Sequence, residues 1–108
     1  MKISACVITK NEAENLPHWL RSMRVFADEM IVVDTGSQDG TVEIARAGGA
    51  QVFHFDWIND FAAAKNFALD QAAGDWVVFT DADEYFTEES EPRVRPLIEE
   101  YDKKKTMD

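Results

Sequence analysis

The chain has 108 residues, 45% hydrophobic and 30% charged, and its 11 basic and 21 acidic side chains leave a formal net charge of −10. Those proportions describe one modest globular domain and exclude an intrinsically disordered chain. The acid excess excludes a general nucleic-acid binder, which needs a basic footprint, but leaves room for a phosphate-bearing ligand that arrives with a divalent cation.

Residues 3–9 are predicted as a first strand, whose run of apolar and β-branched residues marks it as buried on both faces. Cys6, the one cysteine, falls inside that run; it can form no internal disulfide and reads as a buried, inert thiol in a reducing compartment. A polar loop follows over residues 10–12. A helix is expected from about Asn15, a good N-cap, with Pro17 in its first turn and Leu16, Leu20 and Met23 along one stripe. Residues 30–34 form a second predicted strand ending in Asp34, residues 35–40 a tight polar loop, and residues 41–47 a short helix stopped by Gly48 and Gly49.

A weaker strand is expected over 51–55, a helix over 60–73 with Asp60 as its cap and Gly74 as its stop, and a fourth strand over 76–80. Glu91 and Pro92 open a last helix in which Val94, Leu97, Ile98 and Tyr101 recur at helical spacing. Residues 103–108 are a polar end without a packing signal. Trp19, Trp57 and Trp76 are read as core side chains in preference to sugar-stacking platforms, with the alternative open for Trp57 because it lies near a loop, and His18 and His54 are read as structural. No stretch approaches the roughly 20 apolar residues of a membrane span. The amino end lacks the apolar core of a signal peptide, so a cytoplasmic location is expected.

Strands alternate with helices throughout, the pattern of a parallel sheet covered on both faces. Ligands in open sheets of this kind bind at the carboxyl ends of the strands. Here those ends carry residues 9–12, 34–40 and 81–84, three polar loops expected to converge on one edge. The sharpest signal is the last, where a buried strand gives way to Asp81 and Asp83, one residue apart, and then Glu84. In an extended backbone, side chains two apart point the same way, so both aspartates are expected on one side. Such a cluster repels itself unless a cation or proton holds it together, and carboxylate oxygens suit Mg²⁺ or Mn²⁺.

In the second loop, Ser37 and Asp39 have a simple alternative role as caps of the following helix, whereas Asp34 is placed to bond a ribose hydroxyl or a base N–H. Lys65 is either a solvated helix lysine or a contact for a diphosphate. Neither GxxxxGK[ST] nor GxGxxG occurs, which argues against an ATPase or an ordinary NAD dehydrogenase. A calcium loop of the EF-hand type fails because Tyr85 and Phe86 stand where it needs an oxygen ligand and a glycine. A haloacid-dehalogenase-like phosphatase, with Asp81 as nucleophile, remains a weaker alternative: Tyr85 stands where that family has Thr or Val, and three strands precede the pair. A non-catalytic nucleotide- or metal-binding module is the other.

Four motifs in order, residues 3–12, 31–41, 64–68 and 77–84, resemble those of family-2 glycosyltransferases, and the likeness covers residues 3 to about 90. The resemblance implies the N-terminal part of a GT-A fold: a Rossmann-like three-layer α/β/α domain over residues 1–90 with a mostly parallel four-stranded sheet in the order 3-2-1-4, followed by a helix and polar tail over 91–108. It implies a nucleotide-diphosphate sugar donor, most often a UDP-sugar, and Mn²⁺ or Mg²⁺. Thr9, Asn11, Glu12, Asp34, Ser37, Lys65, Asn66 and Asp81 would line the donor nucleotide, and Asp83, with Asp81, would hold the metal. The family's catalytic base follows the aspartate pair in an acceptor-binding half, and no residue here matches it. The chain alone is therefore expected to bind donor and metal without transferring sugar, and to self-associate through the bare edge of its fourth strand.

Overall fold

The computed structural model describes residues 1–106 and shows a four-stranded, wholly parallel sheet in the order β3-β2-β1-β4. Along the chain run β1 (Ile3–Thr9), α1 (Leu16–Arg24), β2 (Glu29–Asp34), α2 (Thr41–Ala47), β3 (Gln51–His54), α3 (Phe61–Gln71), β4 (Trp76–Phe79) and α4 (Glu91–Thr106). This is the expected α/β architecture and strand order.

β1 is central, and the alternation of its side chains divides the core in two. Ile3, Ala5 and Val7 pack with Leu16, Trp19 and Met23 of α1, and Val94 and Ile98 of α4 lie against the same cluster. Cys6 packs on the opposite face with Ile31, Val33 and Ala68 of α3. The Cys6 thiol is pushed up to about 11, first by burial and then by the negative field of Glu29, so it stays protonated at neutral pH as expected of an inert core cysteine.

The local signals mostly act as the sequence implies. Asp60 is extended, and its Oδ1 accepts the Ala63 N–H at 3.1 Å, capping α3. Asn15 holds the N-cap position of α1 but does not cap it. Its backbone is already helical (φ −88, ψ −29), and its side chain instead donates to Glu12 Oε2 at 3.1 Å.

Element ends differ by a residue or two. β4 stops at Phe79 because its ladder with β1 runs only from Ile3↔Trp76 to Cys6↔Phe79. Thr80 makes the last contact with β1, its N–H donating to Cys6 O at 3.3 Å, while its hydroxyl accepts the Trp19 indole N–H at 2.8 Å. α4 extends to Thr106, into the stretch expected to be an unpacked polar end; residues 107–108 lie outside the described ones. Its apolar stripe is only half used: Val94 and Ile98 meet the core, whereas Leu97 is 64% and Tyr101 59% exposed. Tyr101 packs edge-on against Trp76 at 5.4 Å, on the rim of the sheet. β4 forms one edge of the sheet, with Val77 exposed. No helix among the described residues is long and apolar enough to cross a membrane.

The amino ends of the strands are knotted together. Glu29 accepts hydrogen bonds from the Ser4 hydroxyl, the Ala73 N–H (2.7 Å) and the Gln51 amide (3.2 Å), with the Lys2 ammonium 3.7 Å away. Burial is the largest single influence on Glu29 and pushes its pKa up. The bonds from Ser4 and Ala73, with Lys2 and Gln51, outweigh it and hold the carboxyl below the usual range. Gly74 completes the knot: a Cβ there would lie 2.5 Å from Ser4 Oγ, 2.8 Å from Ser4 N and 2.9 Å from Lys2 O, a space only glycine fits.

Candidate functional site

The loops after β1 and β2 form one latched unit. Asn11 takes a left-handed conformation (φ 55), one that asparagine tolerates better than most residues. There its N–H donates to Ser37 Oγ at 2.8 Å while its Oδ1 accepts the Gln38 N–H at 2.8 Å. Further along, the Glu12 N–H donates to Thr41 Oγ1 (2.9 Å) and the Ala13 N–H to Asp39 Oδ2 (3.2 Å). Asp39 also accepts the Thr41 N–H at 3.0 Å, so it braces the start of α2, whereas Ser37 takes no part in capping that helix.

Asp34, 4% exposed, is the centre of this latch. It accepts from Thr9 Oγ1 (3.0 Å), the Gly36 N–H (3.1 Å), the Ser37 N–H (2.9 Å) and the Ser37 hydroxyl. Gly36, at φ +113, supplies the turn that aims these N–H groups at the carboxylate. Burial pushes the Asp34 pKa up, but the hydrogen bonds from Ser37, Thr9 and Gly36 outweigh it and hold the carboxyl below its ordinary value. The structure therefore brings Thr9, Asn11, Asp34 and Ser37 together, with their polar atoms engaged in fixing one another.

The acidic end of β4 behaves differently. Asp81 and Asp83 do not stand on an extended strand, as their spacing implied, but on a turn. The Glu84 N–H donates to Asp81 O at 2.9 Å, and the Asp81 N–H donates to Glu84 Oε1 at 2.9 Å. Strand pairing has already ended at Phe79, so the turn and not pleat alternation sets how the two aspartates lie. Partial burial raises the Asp81 pKa, and the negative charges of Glu84, Asp83 and Glu12 add to the rise. The β1 and β4 loops thus bring four carboxylates into one neighbourhood, and among the described residues no ion pair includes Asp81, Asp83 or Glu84.

No group of three or more His, Cys, Asp or Glu among the described residues is arranged to hold a metal by itself. That is compatible with a hard cation such as Mg²⁺, which keeps several waters and takes one or two carboxylates plus phosphate oxygens in place of an all-protein cage. Lys65 and Asn66 lie exposed on α3. The Lys65 ammonium sits 5.1 Å from the centroid of the Phe79 ring, at the end of β4, in a cation–π contact.

Between these loops opens a cleft of about 210 Å³ whose lining includes Thr9, Glu12, Thr35, Trp57 and Phe61. Trp57 is 42% exposed, which corrects its reading as a core side chain; Trp19 is fully buried and Trp76 half-buried. The available signal was its setting: Trp57 lies in a polar stretch between a strand and a helix cap, off any apolar period. A larger cleft, about 410 Å³, lies beyond the acidic turn between α1 and the segment after it, where His18 stacks on Tyr85 with ring centroids 4.9 Å apart. The smaller cleft is the better candidate, because the strand-end loops build it.

Comparison with known proteins agrees with this geometry. The model of the glycosyl transferase family 2 matches residues 4–107. A TPR repeat-containing protein of Synechococcus elongatus is 43% identical over 99 residues, covering 92% of this chain and 25% of the relative. An uncharacterized glycosyltransferase of Rickettsia prowazekii is 38% identical over 97 residues, 90% of this chain and 33% of the relative. The chain thus spans a quarter to a third of the length of these curated relatives. Among solved structures, S. aureus TarS superposes with a TM-score of 0.73 at 30% identity, over 93% of this chain and 20% of that one. Glucosyl-3-phosphoglycerate synthase from Mycobacterium tuberculosis, in complex with Mn²⁺, UDP and glucosyl-3-phosphoglycerate, superposes with a TM-score of 0.65 at 29% identity, over 75% of this chain and 33% of that one. The motifs, the sheet order and the family match together show that this chain belongs to glycosyl transferase family 2.

Proposed function

We propose that this chain is the donor-binding part of a glycosyltransferase, holding a nucleotide-diphosphate sugar across the carboxyl ends of β1, β2 and β4. The observation that carries the reading is the acidic turn: Glu12 from the β1 loop and Asp81, Asp83 and Glu84 from the β4 turn share one neighbourhood with no cation paired to the turn among the described residues. Asp83 and Asp81 are the residues that would hold Mn²⁺ or Mg²⁺. When bound, such a cation supplies Lewis-acid stabilisation of charge on the departing diphosphate. The UDP and Mn²⁺ complex of the structurally similar synthase supports a UDP-sugar as the donor class.

In this reading residues 1–90 form the donor core, and α4 closes one side of it. The latch of Thr9, Asn11, Asp34 and Ser37 keeps the β1 and β2 loops rigid beneath the nucleotide, and Lys65 with Asn66 flanks it from α3. Transfer is inverting: an acceptor oxygen attacks the anomeric carbon, the bond to the diphosphate breaks on the opposite side, and the acceptor proton passes to a base. We assign that base to none of these residues.

Calorimetric titration with UDP, with and without Mn²⁺, tests the proposal. Binding that needs the metal and is lost in Asp83→Ala is the expected result. UDP binding indifferent to metal and to Asp83→Ala, or phosphate release from simple monoesters that disappears in Asp81→Asn, would refute it, the second in favour of a phosphatase.

A further inference from the structure

Helix α1 grips the acidic turn from one side, before it, within it and after it. Ahead of the turn, the indole N–H of the fully buried Trp19 donates to Thr80 Oγ1 at 2.8 Å. Within it, Ala82 is 3% exposed and belongs to the same buried cluster as Trp19 and Met23, although the aspartates on either side of it are exposed. Beyond it, the Ser22 hydroxyl accepts the Phe86 N–H at 3.0 Å and donates to the Phe86 carbonyl at 3.2 Å. Aromatic rings add to the grip. His18 stacks on Tyr85, and Phe26, just past the end of α1, stands edge-on to Phe86 with ring centroids 5.4 Å apart.

Ser22 stands out among these residues. A hydroxyl in the middle of a helix usually turns to a carbonyl of its own helix, and an apolar side chain would fill the core as well. Ser22 is 1% exposed and gives both its bonds to the backbone of one residue beyond the turn. It thereby ties Phe86 to α1, as Trp19 ties Thr80. The turn between these two fixed points carries Asp81, Asp83 and Glu84, like charges that push one another apart when no cation is present. Groups that bind a metal have to be held to within about 0.5 Å of their productive geometry, and the residues behind them do the holding. Two fixed ends limit how far the turn can open.

We propose that Trp19 and Ser22 are positioning residues for the metal-holding turn: they touch neither metal nor nucleotide, and act by fixing Thr80 and Phe86 so that Asp81 and Asp83 meet the cation together. The inference rests on the donor-binding reading above.

Two measurements on the whole chain test it. One is Mn²⁺ affinity in the presence of UDP, read from the loss of the free Mn²⁺ resonance. The other is hydrogen exchange of the amides of residues 81–86 with neither metal nor nucleotide present. Ser22→Ala leaves both bonds to Phe86 unmade, and is expected to weaken Mn²⁺ on the order of 10-fold and to speed exchange in the turn. Thr80→Val keeps the shape of the side chain but removes the acceptor of the Trp19 indole, and is expected to do the same. Thr80→Ser keeps the hydroxyl and is expected to bind Mn²⁺ as the wild type does. Glu29→Gln is the control, since it loosens the opposite end of the sheet: it is expected to lose stability and keep its Mn²⁺ affinity. Wild-type Mn²⁺ affinity in Ser22→Ala refutes the role of Ser22, and in Thr80→Val that of Trp19, while donor binding stands. Exchange that neither variant speeds, or a Thr80→Ser as weak as Thr80→Val, refutes the grip itself. An equal loss of affinity in Glu29→Gln refutes it too, because general stability would then set the affinity. If the wild type binds no Mn²⁺ with UDP, the donor reading fails and this inference falls with it.

Discussion

β2 begins on Glu29 and ends on Asp34, and hydrogen bonds hold both carboxyl groups below the usual range although burial pushes them up. Asp81, at the end of β4, is held above it. At the amino end of the sheet and in the β1–β2 latch, each carboxylate is surrounded by donors that the fold supplies. At the acidic turn the neighbours of Asp81 are other carboxylates. The first pattern stabilises the domain by itself. The second leaves charge to be neutralised by something from outside, as expected where a fold makes a site and not a joint.

The contrast breaks most easily at Gly74. Gly74→Ala forces a Cβ against the backbone of β1 and is expected to cost about 3 kcal/mol, the upper part of the overpacking range, because backbone cannot swing aside. Urea denaturation measures it, and unchanged stability would show that the amino-end knot is loose. Glu29→Gln can keep its carbonyl oxygen toward Ser4 and Ala73 but turns an NH2 group toward the Gln51 amide and the Lys2 ammonium, an expected loss of about 1–3 kcal/mol in the same assay.

The pH dependence sharpens the comparison by sign. The depressed pKa values of Glu29 and Asp34 give stability that is present above their ordinary values of 4.5 and 3.8 and is lost as pH falls through the lower folded ones. The raised pKa of Asp81 acts oppositely: as pH falls through its folded value, above 3.8, protonation favours the folded state. Thermal melts from neutral to acid pH should therefore show a steep acid loss that is shallower in Glu29→Gln. Asp81→Asn is expected to change neutral-pH stability by no more than about 0.5 kcal/mol, toward stabilisation, since Asp81 lies exposed in a repulsive cluster. A marked destabilisation by Asp81→Asn would place that residue among the structural carboxylates.

The smallest effect concerns association. Val77 on the β4 edge, with Leu97 and Tyr101 on α4, leaves apolar surface exposed. Sedimentation at micromolar concentration is expected to show weak self-association that Leu97→Glu abolishes, and a monomer throughout would refute it.

Much of this was legible in the sequence, for physical reasons that differ by residue. The strand order followed from right-handed crossovers taken together with the resemblance to the family, since alternation by itself gives a parallel sheet but not its order. The Asp60 cap and the Gly48 stop are local signals that need no tertiary context. The loop that begins after Asp34 was expected to form a site edge, but not the fact that Thr9, Gly36 and Ser37 saturate the Asp34 carboxylate, because the local bonds depend on the left-handed turn at Gly36 and the Thr9 bond crosses from β1. The turn at Asp81 was missed because spacing alone cannot show where strand pairing ends; β4 leaves β1 after Phe79, although β1 itself continues to Thr9 beside β2. The Glu29 knot was missed since its partners, Ser4, Gln51 and Ala73, are scattered along the chain. Trp57 was placed in the core, with its position near a loop already setting it apart from Trp19 and Trp76, because an aromatic residue counts toward a core until its exposure is known.

The most direct check of the difference between the two ends is electron paramagnetic resonance of Mn²⁺ in the presence of UDP. Adding the wild-type chain is expected to diminish the free Mn²⁺ signal, and the double variant Asp81→Asn with Asp83→Asn to leave it intact, whereas Glu29→Gln should still diminish it. A free-Mn²⁺ signal that the wild type does not change, or that the double variant diminishes equally, would show that the acidic turn holds no metal-bound nucleotide.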